Sequence, residues 1–171
     1  MTKIELGTMM KRLRDEALAA APADCLEPME GVVTQIDGFR CTARFGELEM
    51  GVDEPVIFGG TGTAPNPAEV ALAGLGASIQ VTLLCYAGYL DIDVGDLQVK
   101  LSGALDARGF FDIDPTAPVG FYDIDARVSF TGKASAAELA QLFACVEKCC
   151  PVLAVFREPM TVNLSFDQRE S

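Results

Sequence analysis

The sequence contains no histidine. That absence removes Ser-His-Asp and Cys-His nucleophile pairs, histidine-bearing zinc sites and imidazole acid–base work. Any side-chain chemistry must use Cys, Asp, Glu, Lys, Arg or Tyr. Positive charge is also scarce: 13 Lys and Arg face 25 Asp and Glu, a formal charge of −12. Such a surface repels phosphates and anionic lipid, which argues against nucleic acid and polybasic-type membrane partners. The start, "MTKIELGTMMKRLRDEALAAAP", lacks the apolar core of a secretory signal. A cytoplasmic setting is therefore expected, with the six cysteines reduced unless they cycle.

What is present fits one domain with, at most, a terminal extension. A chain of 171 residues buries roughly two-thirds of its unfolded surface, enough for a core without metal or disulfide. Residues 8 to 20 predict a short amphipathic helix, with Met9, Leu13, Ala17 and Ala20 on one stripe. "PADCLEPMEG" breaks it. Residues 31 to 58 predict strands in an antiparallel meander, with an Asp-Gly turn in "IDGF" and a second break in "FGELEMG".

The loop "GGTGTAPNP" lacks the Lys-Ser/Thr of a phosphate loop. It leads into "PAEVALAGLGASIQVTLLCYAGYL", where residues 70 to 90 form 21 uncharged positions. Asn66 as N-cap, Pro67 as first helical residue and Glu69 as third predict a helix start. The run is long enough to span a membrane, but Gly74, Gly76, Gly88, Ser78, Gln80 and Thr82 dilute it. It reads instead as a helix buried at the centre of a fold. Ala73, Gly74, Ala77 and Ser78 would let another backbone approach closely.

Beyond it, "DIDVGD" (91–96) reads as a solvated turn, because its glycine is one place early for a calcium loop and no closing glutamate follows. Residues 96–106 and 120–132 predict strands. The echo of "GFFDID" in "GFYDID" reads as strand alternation beside turns. Ser135 and Glu138 predict a capping box, opening a helix whose apolar face runs through Leu139, Leu142, Phe143 and Val146 to Cys149 and Cys150. Pro151 ends or bends that helix, and "MTVNLSFD" closes the chain as a strand. The order of elements is α+β.

Four segments then resemble the OsmC/Ohr family of peroxide-detoxifying proteins. They are "DEP" (53–55), "GGTGTAPNPAEVALAGLGAS" (59–78), "RGFFDIDPTAPVGF" (108–121) and "EKCCPV" (147–152). The resemblance covers roughly residues 30 to 168. It implies an N-terminal helical extension over 1–29 and an OsmC-like domain over 30–171. The implied fold is an intertwined homodimer with antiparallel sheets wrapped around long central helices.

It also implies thiol-dependent reduction of organic hydroperoxides with no cofactor. A cysteine on the central helix attacks the O–O bond and becomes a sulfenic acid. The cysteine of a Cys-Pro motif condenses with it, and an external dithiol reduces the disulfide. Here Ser78 occupies the attacking position, and Cys150 is the cysteine of the Cys-Pro motif. A serine hydroxyl has no sulfur oxidation ladder and needs a base to become a nucleophile. The family's supporting arginine falls near Ile36, leaving Arg40 or Arg44 to serve only through a reshaped turn. Its carboxylate corresponds to Glu69.

Cys85 reads in two ways. It lies seven residues from Ser78 at nearly the same angle, about 10 Å along the helix, and is either a relocated nucleophile or a small buried hydrophobe. Disulfide closure needs Cα atoms within roughly 7 Å, so a Cys150 facing Ser78 reaches Cys85 only by movement. The spacing of Cys145, Cys149 and Cys150 is poor for zinc, while Cys25 and Cys41 read as inert. Three functions remain open: a hydroperoxide reductase with an altered site, an inactive relative that binds a small hydrophobic ligand at the dimer interface, or a purely structural or interaction role.

Overall fold

The structure, a computed structural model, describes residues 3 to 168. Helix α1 (Lys3–Ala19) precedes a three-stranded antiparallel meander, β1 (Val32–Asp37), β2 (Arg40–Phe45) and β3 (Leu48–Val52). The long helix α2 (Pro67–Leu90) follows, then β4 (Leu97–Gly103), the short α3 (Ala107–Phe110) and β5 (Ile124–Phe130). Helices α4 (Ala136–Cys149) and α5 (Pro151–Arg157) come last. The α+β expectation holds.

Local chemistry explains the boundaries. Gly38 and Gly46, at φ of 48° and 59°, close the two hairpins of the meander. Asn66 and Glu69 cap α2 reciprocally: the Glu69 N–H donates to Asn66 Oδ1 at 2.9 Å and the Asn66 N–H to Glu69 Oε2 at 2.8 Å. Pro67 opens the helix, and Asp91 ends it in a left-handed conformation. Ser135 and Glu138 form the expected capping box on α4. Strand β4 alternates, with Leu97, Val99 and Leu101 turned inward and Gln98 and Lys100 outward. It pairs with β5 from Leu97↔Phe130 to Gly103↔Ile124.

The core forms where α2 meets β4, α4 and α5. Leu75, Ile79, Leu83 and Ala87 of α2 pack with Ile92, Val94, Leu142, Val146 and Cys150. Gly76 sits under β4, where an added Cβ would lie 2.5 Å from Leu101 Cδ1. The helix is long and apolar enough to cross a membrane, yet it contributes this stripe to the core. Its other face, with Ala73, Gly74, Ala77 and Val81, is exposed in the single chain.

Several sequence expectations need correction. Helix α1 begins earlier, at Lys3, and its predicted stripe is not its contact face: Leu13 and Ala17 are exposed. It touches α2 through Gly7 instead, where only a missing side chain lets the backbone reach Gly88. The 91–96 segment is not simply a solvated turn, because Ile92 and Val94 are buried at 5% and 1% exposure. Residues 107–110 are helical and 124–130 a strand, so the six-residue echo has no common structure.

Cys149 does not share the buried face of Cys150 but is exposed. Pro151 bends rather than ends the helical path, since α5 continues after a 63° turn. The predicted final strand is absent: residues 159–168 pair with no described strand, and Met160, Val162, Leu164 and Phe166 are exposed. A strand exists only beside another backbone, whatever its alternation.

Candidate active site

Two elements far apart in sequence meet at one polar contact. Ser78 lies on α2 between the core residues Leu75 and Ile79. Cys150 is the hinge residue between α4 and α5 and is 4% exposed. Ser78 Oγ and Cys150 Sγ are 3.2 Å apart, within hydrogen-bond distance for a sulfur partner. The packing of α4 against α2 through Leu142 and Val146 holds them there.

A cavity of about 760 Å³ lies against Leu75 and Ile79, which flank Ser78 on α2; Ser78 and Cys150 are not among its lining residues. Its apolar walls include Leu75, Ile79, Val128, Phe143, Leu153 and Phe156. Asp123, Glu147 and Arg157 supply its charged lining. Arg157 donates from both terminal guanidinium nitrogens to the two Glu147 carboxylate oxygens. That pairing holds the Glu147 carboxyl below the usual carboxylate range and pushes Arg157 up.

Three of the other thiols, Cys85, Cys145 and Cys149, lie around Tyr86 where α2 meets α4. Cys85 and Cys145 are half-buried, and burial pushes both thiols above their ordinary values. Cys149 approaches the Tyr86 hydroxyl, which is pushed up to about 12 by that hydrogen bond first and burial second. Cys41 lies on β2 opposite Val52, and Cys25 is exposed, its thiol donating to the Ala17 carbonyl at 3.7 Å.

Of the residues singled out by sequence, then, the structure joins Ser78 and Cys150. Glu69 is engaged as the α2 cap. Arg40 is tied to Asp37 beside the β1–β2 turn, at 2.9 and 3.2 Å, and Arg44 to Glu49. Ile36 falls at an irregularity between Gln35 and Asp37.

Sequence reasoning passed over two features near this region. The Glu147–Arg157 pair spans ten residues across a proline, a spacing with no helical signature. Asp53 is 1% exposed and gathers the loop before α2. Its carboxylate accepts from the N–H groups of Glu54, Thr61 and Thr63 and from both threonine hydroxyls. The Thr-Gly-Thr within "GGTGT" was the available signal.

A family model described as OsmC-like protein matches residues 60–165, which include Ser78, Cys150 and the cavity walls named above. The chain belongs to the OsmC-like family. No curated protein matches it. Among solved structures, its fold is similar to that of the OsmC-like protein from Mycoplasma pneumoniae. The TM-score is 0.66 at 18% identity, covering 77% of this chain and 89% of that one.

An organic hydroperoxide resistance protein OsmC from Legionella pneumophila aligns at TM-score 0.59 and 22% identity, over 78% and 92% of the two chains. One from Elizabethkingia anophelis, also an organic hydroperoxide resistance protein, aligns at 0.56 and 19%, over 78% and 90%. At these identities the likeness is one of fold. In this OsmC-like chain the functional reading therefore rests on its own residues.

Proposed function

We propose that this OsmC-like protein reduces organic hydroperoxides through Cys150, with Ser78 as hydrogen-bond partner in place of a second thiol. The observation that carries the reading is the 3.2 Å Ser78–Cys150 contact, with a cavity against Leu75 and Ile79 on the same helix. The Cys150 thiolate attacks the terminal oxygen of R–O–O–H, forming an S–O bond as the O–O bond breaks. The alkoxide takes a proton and leaves as the alcohol, and Cys150 becomes a sulfenic acid. Ser78 cannot condense with it, so the resolving sulfur comes from outside. One thiol of an external dithiol displaces water from the sulfenic acid, and its second thiol releases Cys150 by disulfide exchange.

The working form is proposed to be a homodimer. Both faces of the β1–β3 sheet carry exposed apolar residues, among them Val32, Val33, Ile36 and Phe45. The small-residue face of α2 is open as well. A second copy covers these surfaces and offers a backbone to residues 160–166. The OsmC-like domain runs over 30–171, with 1–29 as a helical extension laid against it.

The test is a single turnover with cumene hydroperoxide followed by thiol mass mapping. Sulfenic acid at Cys150, lost in Cys150→Ser, is the expected result. No oxidation at Cys150 overturns the reading. The cavity's size lies within the range of small-molecule sites, and it favours one second reading: a non-catalytic protein holding a hydrophobic ligand. Tight binding of an apolar fluorescent probe without peroxide consumption would select it.

A further inference from the structure

Cys150 is buried, whereas Cys149, the residue before it, is exposed. A sulfenic acid formed on a thiol that is 4% exposed is shielded from solution on most sides. Such a group closes on another thiol or on a backbone nitrogen. The backbone N–H within ring-closing reach belongs to the following residue, and here that residue is Pro151, which has none. Ser78, the present contact of Cys150, brings no sulfur.

The neighbouring cysteines differ in reach. Cys85 lies about two turns from Ser78 along α2, and burial pushes its thiol upward. Cys145 stands five residues before Cys150, about 140° round the helix from it. Cys149 is joined to Cys150 by a single peptide, at the point where α4 ends. Cys150 is held extended there, at φ −77° and ψ 112°, by the proline that follows. That proline also supplies no N–H to the last turn of α4. Loosening this turn breaks the bond from the Cys150 N–H to the Val146 carbonyl, at 3.0 Å, and little beyond it.

We propose that Cys149 and Cys150 form a vicinal redox pair, in which Cys149 captures the sulfenic acid of Cys150 whenever no external dithiol has done so. This rests on the reading that a hydroperoxide oxidises Cys150. The Cys149 thiolate attacks the Cys150 sulfur; the S–S bond forms as the S–O bond breaks, and hydroxide takes a proton and leaves as water. Cα atoms across one trans peptide lie about 3.8 Å apart, closer than the roughly 4.4–6.8 Å of ordinary disulfides. The bond is therefore strained, and strained or exposed disulfides are the readily reduced ones. An external dithiol enters at the exposed Cys149 sulfur and restores both thiols by two exchanges. Capture keeps Cys150 from the irreversible sulfinic step. For it, Cys150 leaves Ser78 and Cys149 leaves the Tyr86 hydroxyl.

The test treats the full chain with one equivalent of cumene hydroperoxide without reductant, blocks free thiols with N-ethylmaleimide and maps the peptides by mass. Cleavage after Lys148 and Arg157 releases one peptide that holds Cys149 and Cys150 and no other cysteine. That peptide is expected to lack two hydrogens and to take up N-ethylmaleimide only after a dithiol is added. Cys149→Ser should instead leave a dimedone-reactive sulfenic acid at Cys150 and raise sulfinic acid there severalfold under excess peroxide.

A persistent sulfenic acid at Cys150 in the natural chain, a crosslink between chains through Cys149, or unchanged overoxidation in Cys149→Ser overturns the pairing and leaves the peroxide reading standing. Diamide, which takes two thiols directly to a disulfide and is itself reduced to a hydrazine, separates the other failure. Should diamide close the vicinal disulfide while peroxide leaves Cys150 unoxidised, the redox pair stands and the peroxide reading falls. No vicinal disulfide with either oxidant overturns the pairing outright.

Discussion

Ser78 Oγ lies 3.2 Å from Cys150 Sγ, although the two residues are 72 positions apart. Substitution Ser78→Cys puts a second sulfur where this oxygen now sits, on a helix already packed against the Cys150 hinge. A disulfide requires two sulfurs about 2.05 Å apart with Cα atoms within roughly 7 Å, a small adjustment from an existing side-chain contact. Oxidation of the Ser78→Cys variant is expected to join the introduced thiol to Cys150, visible as a crosslinked pair on non-reducing peptide maps. Peroxide consumption with an external dithiol should then exceed that of the natural chain. Failure to crosslink would mean that the contact lacks disulfide geometry.

Cys85 is expected to be a packing residue. Burial pushes its thiol upward, which lowers the thiolate fraction at neutral pH. It also lies about two turns from Ser78 along α2. Cys85→Ala should therefore leave the extent and rate of peroxide oxidation at Cys150 unchanged. In the folded protein, alkylation of Cys85 should lag behind that of the exposed Cys25 and Cys149. Fast, peroxide-sensitive labelling of Cys85 would restore it as a nucleophile.

The caps were legible because each depends on a short pattern, Asn66-Pro67-x-Glu69 and Ser135-x-x-Glu138, whereas the facing of Ser78 and Cys150 was implied by the family resemblance alone. Other features depended on contacts that local periodicity does not encode. The alternation in "MTVNLSFD" reads as a strand, but pairing needs a backbone neighbour, and none of the described strands lies beside it. Ile92 and Val94 look like parts of an acidic turn until α2 ends in left-handed Asp91 and returns the chain over its own core. Glu147 and Arg157 become neighbours only through the bend at Cys150.

Asp53 should make the fold sensitive to acid. Its carboxyl is held well below the usual carboxylate range, chiefly by the Thr61 hydroxyl, with burial opposing and backbone N–H groups of Thr63, Glu54 and Thr61 adding. A depressed folded-state value means that its stabilisation is present above the unfolded carboxylate value near pH 4. It is lost as pH falls through the lower folded value. Asp53→Asn places an amide among these donors and should lower Tm by several degrees at pH 7. It should also flatten the dependence of Tm on pH below about 4. An unchanged Tm and an unchanged acid limb would show that the loop is held by other contacts.

The α2 cap gives a stability prediction with a defined size. Asn66→Ala removes the acceptor for the Glu69 N–H while leaving Pro67 to start the helix. Loss of such a cap costs about 1 kcal/mol. Urea unfolding should show a lower midpoint with an unchanged m-value, because the surface exposed on unfolding is nearly the same. A changed m-value would indicate altered compactness in one of the two end states.

Helix α1 should depend on the absence of a side chain at one position. A Cβ on Gly7 would lie 2.2 Å from the Gly88 carbonyl oxygen, and one on Gly88 would lie 3.0 Å from the Gly7 nitrogen. Both obstacles are backbone, so neither can rotate away, and the helices must separate to accept Gly7→Ala. Alanine favours the helix itself over glycine by about 1 kcal/mol, so a loss of stability would have to come from this packing contact. Gly7→Ala is expected to speed proteolysis and amide exchange within 3–19 while leaving protection of β4, β5 and α4 nearly unchanged. Thr8→Ala, on the exposed side, serves as the control. The extension reading gains support if residues 3–19 loosen alone. Loss of protection throughout α2 and its sheet would instead make α1 part of the domain's own core, and an increase in stability would show that the backbones do not meet here.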